Sequence, residues 1–473
     1  MKYKKMTSLA ALLVATGLLA ACADMSGVAG SEAKLREAAS VGLPADASAA
    51  KPQPALRADW WIDFGDADLS ALITQALTQS PSLKIAEARL NKALSVVDLS
   101  KSALLPTVGL DVQATRQLFT KNSIYPPPLG GNIYTMGTAQ FEAGWEIDFF
   151  GKNKAALDAA VGAAKAAEAD TQAARILLAS NIARSWFQLA RLNAQLEVAN
   201  RTLAQREAML GLVRQRVAAG LDTSVELRTS EGGLPEVRQQ IEALQEQVQL
   251  TKNAIAALAG DPRLAQSLPA AHMSKALDLP QTLPANLLGV RPDIVAARWR
   301  VEASSREVAS SKSQFYPNVN LMAFAGFSSI GLGNLHDASS SQWGVGPAIR
   351  LPIFEGGKLR ANLRAKNADL DAAIESYNSS LIDAVRDVAD QVASSQSIAR
   401  QAAQQGQTEA AVQAAYDLAV QRYNAGISNY LQVLAAETAL LNQRKLGVDL
   451  AARALDANVA LIRALGGGYM NAN

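Results

Sequence analysis

The chain of 473 residues is poor in the side chains that most often carry catalysis or bind metals. It has one cysteine and two histidines, so no intrachain disulfide can form. His272 and His336 fall in predicted loops, without a cluster of metal ligands or a nucleophile motif beside them. The glycines at 331, 333 and 466–468 lack the strand-to-helix context of a phosphate-binding loop. We therefore predict that the protein is not an enzyme and has neither a metal site nor a dissociable cofactor.

The N-terminus lacks acidic residues and is typical of an export signal. Lys2, Lys4 and Lys5 come before an apolar run that is too short for a comfortable membrane span. The run ends in Leu-Ala-Ala-Cys, where the cysteine is Cys22. This ending resembles the lipobox of bacterial lipoproteins, which implies a signal peptide at 1–21 and a covalent lipid on Cys22. A plain uncleaved anchor is the alternative.

The residues after the cysteine bear on destination and charge. In lipoproteins of this kind an aspartate directly after the cysteine holds the protein in the inner membrane, whereas here Ala23 has that place. The resemblance thus implies the outer membrane.

Without the three lysines of the signal, the 45 Lys and Arg fall to 42, against 43 Asp and Glu. A chain so nearly neutral is not expected to bind nucleic acid.

Internal duplication organises the remainder. A predicted helix 25 residues long opens at Pro81 and again at Pro292, and a long helix after a Gly-Lys pair ends 69 residues later at Gly220 and again at Gly426. We predict an extended tether at 22–58, a first repeat at 59–271 and a second repeat at 272–473. The tryptophans at 60 and 61 are expected to be core residues.

The two long helices of the second repeat lack proline. From Lys358 to Leu465 there is none, and Gly426 is the one clear punctuation, so two helices are predicted to meet there. The first has about 68 residues, or roughly 100 Å at the helical rise. Apolar residues recur along it at heptad spacing, which predicts packing against partner helices in a coiled coil. The two apolar rows are Leu363, Leu370, Tyr377 and Ile374, Leu381, Val388.

Each repeat also holds two stretches with the alternation of β-strands. The expected strands are about 107–117 and 138–149 in the first repeat, and about 318–327 and 342–351 in the second. One face is apolar and the other polar or small over about ten residues, as a tilted membrane strand requires. The edge of a soluble sandwich would alternate in the same way. A bilayer tolerates no open sheet edge and small barrels need about eight strands, so the membrane reading requires a homo-oligomer.

Several motifs resemble outer-membrane efflux lipoproteins of the TolC-like factor family over essentially the whole mature chain. They are the lipobox, the Trp-Trp opening, Asp148-Phe149-Phe150-Gly151-Lys152, the segment from Leu351 to Lys358, and an Arg-x-x-Ala-Gly sequence at both hairpin tips. The resemblance implies a mainly α fold with a membrane β-barrel, made by a homotrimer with twelve strands and a helical tunnel. It also implies a periplasmic adaptor and an inner-membrane pump of the RND type as partners, and a duct for drugs or other small toxic compounds.

Two sets of site residues are expected. The hairpin tips are predicted to dock the adaptor, because their small residues leave room against the helix turns; the alternative is that the glycines merely allow the turns. The docking residues are Arg216, Ala219, Gly220, Leu221, Arg422, Ala425, Gly426 and Ile427. Related channels have a constricting leucine in an Asn-Tyr-Leu motif, which places Tyr430 and Leu431 at the constriction here. The acidic residue that follows in relatives falls on Ala435, and Glu437 points to a different face. Leu431 packing between helices is the alternative.

Two other functions share this pattern. An export duct for a protein or peptide would differ only in the pump it meets, and neighbouring genes would separate the two cases. A non-conducting envelope spacer would keep the coiled coil but would show no ion current in planar bilayers. The substrate cannot be predicted from the sequence, because a passive duct need not bind what it passes.

Overall fold

The computed structural model describes residues 25–37, 40, 56–122, 124–277 and 291–469. Cys22 and the predicted signal peptide lie outside the described residues. Helices and antiparallel strand pairs alternate along the chain. The helices are α1 (Ala67–Gln79), α2 (Pro81–Ser102), α3 (Lys152–Ala218), α4 (Ser224–Ala259), α5 (Leu264–Ser267), α6 (Pro292–Ser313), α7 (Lys358–Asn424) and α8 (Tyr430–Ala464). The strands are β1 (Thr107–Leu118), β2 (Ile133–Ile147), β3 (Asn318–Ile330) and β4 (Ser341–Arg350).

The strands on either side of the loops are longer than the alternation predicted. β2 begins at Ile133 rather than at 138, and β3 continues to Ile330 rather than ending at 327. In the added part of β2, apolar residues fall on both faces, Ile133 on one and Tyr134 and Met136 on the other, so this part carries no alternating signal. The added parts are still paired, since Ile133 lies opposite Leu118 and Met136 lies opposite Ile330. Backbone pairing therefore extends beyond the apolar pattern.

The chain divides into two compact units. The sheet unit comprises Leu90–Ala167, Ala297–Tyr377 and the described part of Met1–Leu35. The helical unit comprises the described parts of Arg36–Arg89, Glu168–Ala296 and Asn378–Asn473. Each unit draws on both sequence repeats. The predicted boundaries at 59–271 and 272–473 therefore describe the duplication and not the compact units.

The sheet unit holds one antiparallel sheet in the order β1-β2-β3-β4. The register places Leu110, Phe141, Ala325 and Trp343 side by side in one row across all four strands. Paired residues point to the same face, so the row forms a continuous apolar stripe. Leu110, Phe141 and Trp343 are all largely exposed. This face therefore presents apolar side chains outward instead of burying them in a core.

The opposite face of the sheet has a polar row, although Met322 and Phe324 also lie on this face. The adjacent row consists of Asp111, Gln140, Gly326 and Gln342. Gln342 Nε2 donates a hydrogen bond to Gln140 Oε1 at 2.6 Å, spanning the strand that carries Gly326. The glycine is required there, because a Cβ at 326 would come within 2.3 Å of the backbone of β2.

An N-terminal strap, residues 25–33, is bound within the sheet unit. Met25 and Val28 pack against a cluster that contains Phe315 and Leu363. Farther along, Asn367 Nδ2 of α7 donates to the carbonyl of Ala29 at 2.7 Å, and two groups of the strap donate to the carboxylate of Asp371. Both apolar and polar contacts thus fix this extended segment.

The helical unit has the main hydrophobic core. Trp60 and Trp61 are both buried in it, as their apolar character predicted, together with Trp186 and Phe187 of α3. Asp66 joins two elements there: it caps the N-terminus of α1 and accepts a hydrogen bond from Trp186 Nε1 at 2.7 Å. Among the described residues, no helix is both long and apolar enough to cross a membrane.

Candidate functional site

The two long hairpins, α3–α4 and α7–α8, end in the same backbone turn. Gly220 and Gly426 have φ of 73° and 74°, a left-handed conformation that favours glycine. Each turn has the paired hydrogen bonds of a Schellman motif, which satisfy the last carbonyls of the preceding helix. The donors and acceptors are Leu221 N to Arg216 O, Gly220 N to Val217 O, Ile427 N to Arg422 O and Gly426 N to Tyr423 O, at 2.8 to 3.0 Å.

Three residues beyond each glycine, a polar side chain starts the return helix. Thr223 accepts a hydrogen bond from the amide of Val225, and Glu226 reaches back to the Thr223 amide to complete a capping box. At the second tip, Asn429 accepts from the amide of Gln432. Caps of this kind satisfy amides that have no partner within the helix. Sequence thus defines where both return helices begin.

A side-chain tie joins the two tips. Arg216 donates two hydrogen bonds to the carboxylate of Asp222, at 3.0 and 3.2 Å, and a third to the backbone carbonyl of Tyr423 at 3.2 Å. The Tyr423 hydroxyl donates to the same carboxylate, and its ring lies 4.5 Å from the Arg216 guanidinium carbon. The side chains of Arg216 and Asp222 are only 13% and 6% exposed. A single carboxylate of the first tip therefore holds a group from each hairpin.

The protonation states strengthen this tie. Burial opposes ionisation of Asp222, but the hydrogen bonds from Arg216 and Tyr423 outweigh it and hold the pKa of Asp222 below its ordinary value. Burial, together with the Asp222 carboxylate, raises the pKa of Tyr423 far above its ordinary value. At neutral pH the aspartate is therefore ionised and the tyrosine protonated, as the tie requires.

Behind the tie lies an apolar cluster that includes Val213, Tyr423, Tyr430 and Val433. The rings of Tyr423 and Tyr430 have centroids 6.1 Å apart. Tyr430 is 3% exposed, whereas its neighbour Leu431 is 49% exposed. Successive helical residues differ by about 100°, so the two side chains face different ways. Of the two residues predicted for the constriction, Tyr430 lies in this cluster and the Leu431 side chain is half exposed.

The outer surface of the tips is apolar and matched. Leu221 and Ile427, each directly after the turn glycine, are both strongly exposed, and Ala219 and Ala425 directly before it are exposed as well. The two arginines predicted for docking differ. Arg422 is exposed, whereas the guanidinium of Arg216 is engaged in the tie.

Sequence reasoning missed Asp222. The signal was available, because alignment of the two repeats places Asp222 opposite Ser428 and Val217 opposite Tyr423. The turns also differ at Ala218 and Asn424, but the side chains of Asp222 and Tyr423 are the two that bond to each other. Within the described residues, no group of three or more metal-ligand side chains occurs.

The chain has a duplicated helical hairpin and an antiparallel sheet with one exposed apolar face. This combination is that of an outer-membrane channel subunit. The sequence profile of the outer membrane efflux protein family matches residues 72–261 and 283–467. The chain belongs to this family, and it is an outer-membrane protein.

Individual proteins agree with this assignment. The chain is 32% identical over 422 residues to the multidrug resistance outer membrane protein MdtQ of Escherichia coli O157:H7, covering 87% of this chain and 88% of that protein. It is 34% identical over 379 residues to the fusaric acid resistance protein FusA of Burkholderia cepacia, covering 76% and 69%. The crystal structure of the outer membrane protein VceC of Vibrio cholerae superposes with a TM-score of 0.82 at 36% identity, covering 86% and 98%.

Proposed function

We propose that the chain is the outer-membrane subunit of a tripartite efflux assembly, working as a homotrimer with a periplasmic adaptor and an inner-membrane pump of the RND type. The observation that carries this is the four-stranded sheet, which has one apolar face and is paired on only one side of β1 and of β4 among the described residues. A membrane tolerates such edges only when copies close them, and three chains supply about twelve strands.

The proposed cargo is drugs or other small toxic compounds. Two relatives are named for multidrug resistance and for fusaric acid resistance, and both names concern small molecules. These names favour efflux over export of a protein or peptide.

The proposed anchor is a lipid on Cys22, in addition to the sheet. Met25, three residues later, is bound in the sheet unit beside Phe315, close in sequence to the start of β3. Three extended residues span at most about 11 Å, so an acyl chain on Cys22 would remain near the strands. Loss of fatty-acid labelling in Cys22→Ala is the expected result, and labelling that persists contradicts the assignment.

The proposed adaptor surface is the matched apolar set at the tips, Ala219, Leu221, Ala425 and Ile427. Exposed apolar residues at the same place in both repeats suit a partner that meets both hairpins in the same way. Ala219→Trp with Ala425→Trp should abolish adaptor crosslinking and efflux while trimers persist. Unimpaired crosslinking would show that these positions serve only the turns.

The proposed constriction is formed by Leu431 from three chains around the trimer axis. Leu431→Ser should increase single-channel conductance and the leakage of a large antibiotic. Val225→Ser is the control, because Val225 occupies the equivalent position of the first repeat and is also exposed. Equal conductance in wild type and Leu431→Ser places the constriction elsewhere.

The function as a whole is tested in a host that lacks the gene. Restoring the wild-type chain should restore resistance to small toxic compounds, and the purified trimer should carry ion current in planar bilayers. Absence of current indicates a spacer. Current without any change in resistance, combined with loss of a secreted peptide in the deletion, indicates a secretion duct.

A further inference from the structure

The buried face of α8 contains a charged residue. Tyr430, Val433, Glu437 and Leu440 follow the 3–4–3 spacing of a helical seam, and all four are buried. Three of them are apolar or aromatic, as a seam requires, but Glu437 places a carboxylate within the seam. Its side chain is 8% exposed.

Arg206 of α3 is the partner of this carboxylate. Its Nε donates to Glu437 Oε2 at 3.1 Å, while Nη1 donates to the carbonyl of Gly233 at 2.9 Å and to Glu236 Oε2 at 3.0 Å. The Arg206 side chain is 10% exposed. A Cβ at Gly233 would come within 3.1 Å of Nη1, so the glycine leaves room for the guanidinium. Arg206 thus joins α3, α4 and α8 through directional bonds.

The pair is not expected to add much to stability. Burial raises the pKa of Glu437 in spite of the attraction of Arg206, so ionising this carboxylate is less favourable here than in water. Buried ion pairs can commonly be replaced by apolar residues of similar volume without loss of stability. A polar residue within an apolar helical seam has a better-attested role, which is to specify register at a cost in stability.

We infer that the Arg206–Glu437 pair is a register pin: it fixes the axial position and rotation of α8 against the first hairpin, and so positions Leu431 at the constriction. Leu431 precedes Glu437 by six residues, about 9 Å along the helix axis, on a different face. A seam of apolar residues alone would tolerate sliding or rotation of α8, whereas the pair has one geometry. This positioning role rests on the proposed constriction.

The first repeat supplies a matched control. Glu231 of α4 occupies the position equivalent to Glu437, but its side chain is 31% exposed and pairs with the exposed arginines Arg214 and Arg228. Exposed pairs of this kind contribute little to stability and fix no register. A glutamate at equivalent positions is thus buried in an ion pair in the second repeat and solvent-accessible in the first.

The test replaces both members of the pair with apolar residues of similar volume, Arg206→Met with Glu437→Leu, in the full-length trimer. Thermal melting and single-channel conductance are measured beside wild type and the control Glu231→Leu. We expect the double variant to melt at or above the wild-type temperature, yet to show raised mean conductance and several conductance levels. Glu231→Leu should match wild type in both measurements.

Two results overturn the inference. Wild-type conductance in a stable double variant means that the pair is not needed for position. A double variant that melts well below wild type, or that yields no trimers, means that the pair serves stability. Wild type and Leu431→Ser are run in parallel, because a wild type without current, or a Leu431→Ser variant without raised conductance, refutes the proposed constriction itself and not the pin.

Discussion

The two hairpin tips have the same backbone and different side-chain chemistry. Both close with a left-handed glycine and a Schellman turn, and both present an apolar residue outward. The first tip supplies Arg216 and Asp222, and the second supplies Tyr423 to meet them. Duplication thus preserved the turn while the two copies became complementary, so that neither tip is complete without the other.

Substitution of the two tip arginines should affect stability very differently. Arg216→Met leaves Asp222 without its main hydrogen-bond donor in a poorly solvated place, and should cost about 1–3 kcal/mol of local stability. Arg422→Met removes an exposed side chain and should cost no more than about 0.5 kcal/mol. Hydrogen exchange of the tip amides measures both. Equal losses at the two positions would show that the tips are not specialised.

The left-handed glycine that both tips share predicts equal losses of stability when it is replaced. Gly220→Ala and Gly426→Ala each place a Cβ on a left-handed residue and should cost about 1–2 kcal/mol at the altered tip. Gly211→Ala is the control, because Gly211 lies in the interior of α3 with open space around it. There the change should stabilise the helix by up to about 1 kcal/mol. Clearly different losses at the two tips, measured by hydrogen exchange, would contradict the prediction that the two turns are equivalent.

Acid should loosen the tie through Asp222. Because its pKa in the folded protein is lowered from 3.8, Asp222 contributes stability that is fully present above that value and is lost as the pH falls through the lowered pKa. Tip opening, followed by hydrogen exchange and corrected for intrinsic rates, should therefore increase on acidification below about pH 4. Asp222→Asn should remove this component. A pH profile unchanged by that substitution would assign the effect to other carboxylates.

The smallest expected effect concerns ion selectivity. Ala435→Asp adds a carboxylate one helical turn after Leu431 and should increase cation preference in reversal-potential measurements. The equivalent change in the first repeat, Thr229→Asp, is the control and should leave selectivity nearly unchanged. An equal shift in both variants would mean that both return helices line the passage.

Sequence predicted the repeated features well and the unrepeated ones poorly. Proline and glycine positions recur in both halves, so the long helices and the turns at Gly220 and Gly426 could be placed from spacing alone. Alternation located the strands, but it missed the ends of β2 and β3, where pairing continues past the segment in which apolar and polar residues alternate.

The contacts between the two hairpins could not be predicted from the sequence. Helical spacing placed Glu437 on a different face from Ala435, and in the structure Glu437 is buried whereas Ala435 is exposed. It could not identify Arg206 as the partner, because the two residues are 231 positions apart and nothing local relates them. Tyr430 was assigned by its motif, and only the packing of α3 against α8 shows it in the tip cluster.

The two half-paired edge strands, β1 and β4, have a genetic consequence. If each edge must be closed by a neighbouring chain, a subunit with a damaged edge harms every trimer that it enters. With sound and damaged chains made in equal amounts, only about one trimer in eight would be free of damage. Defects in the sheet should therefore be dominant over a wild-type copy in the same cell. Loss of the whole gene should be recessive.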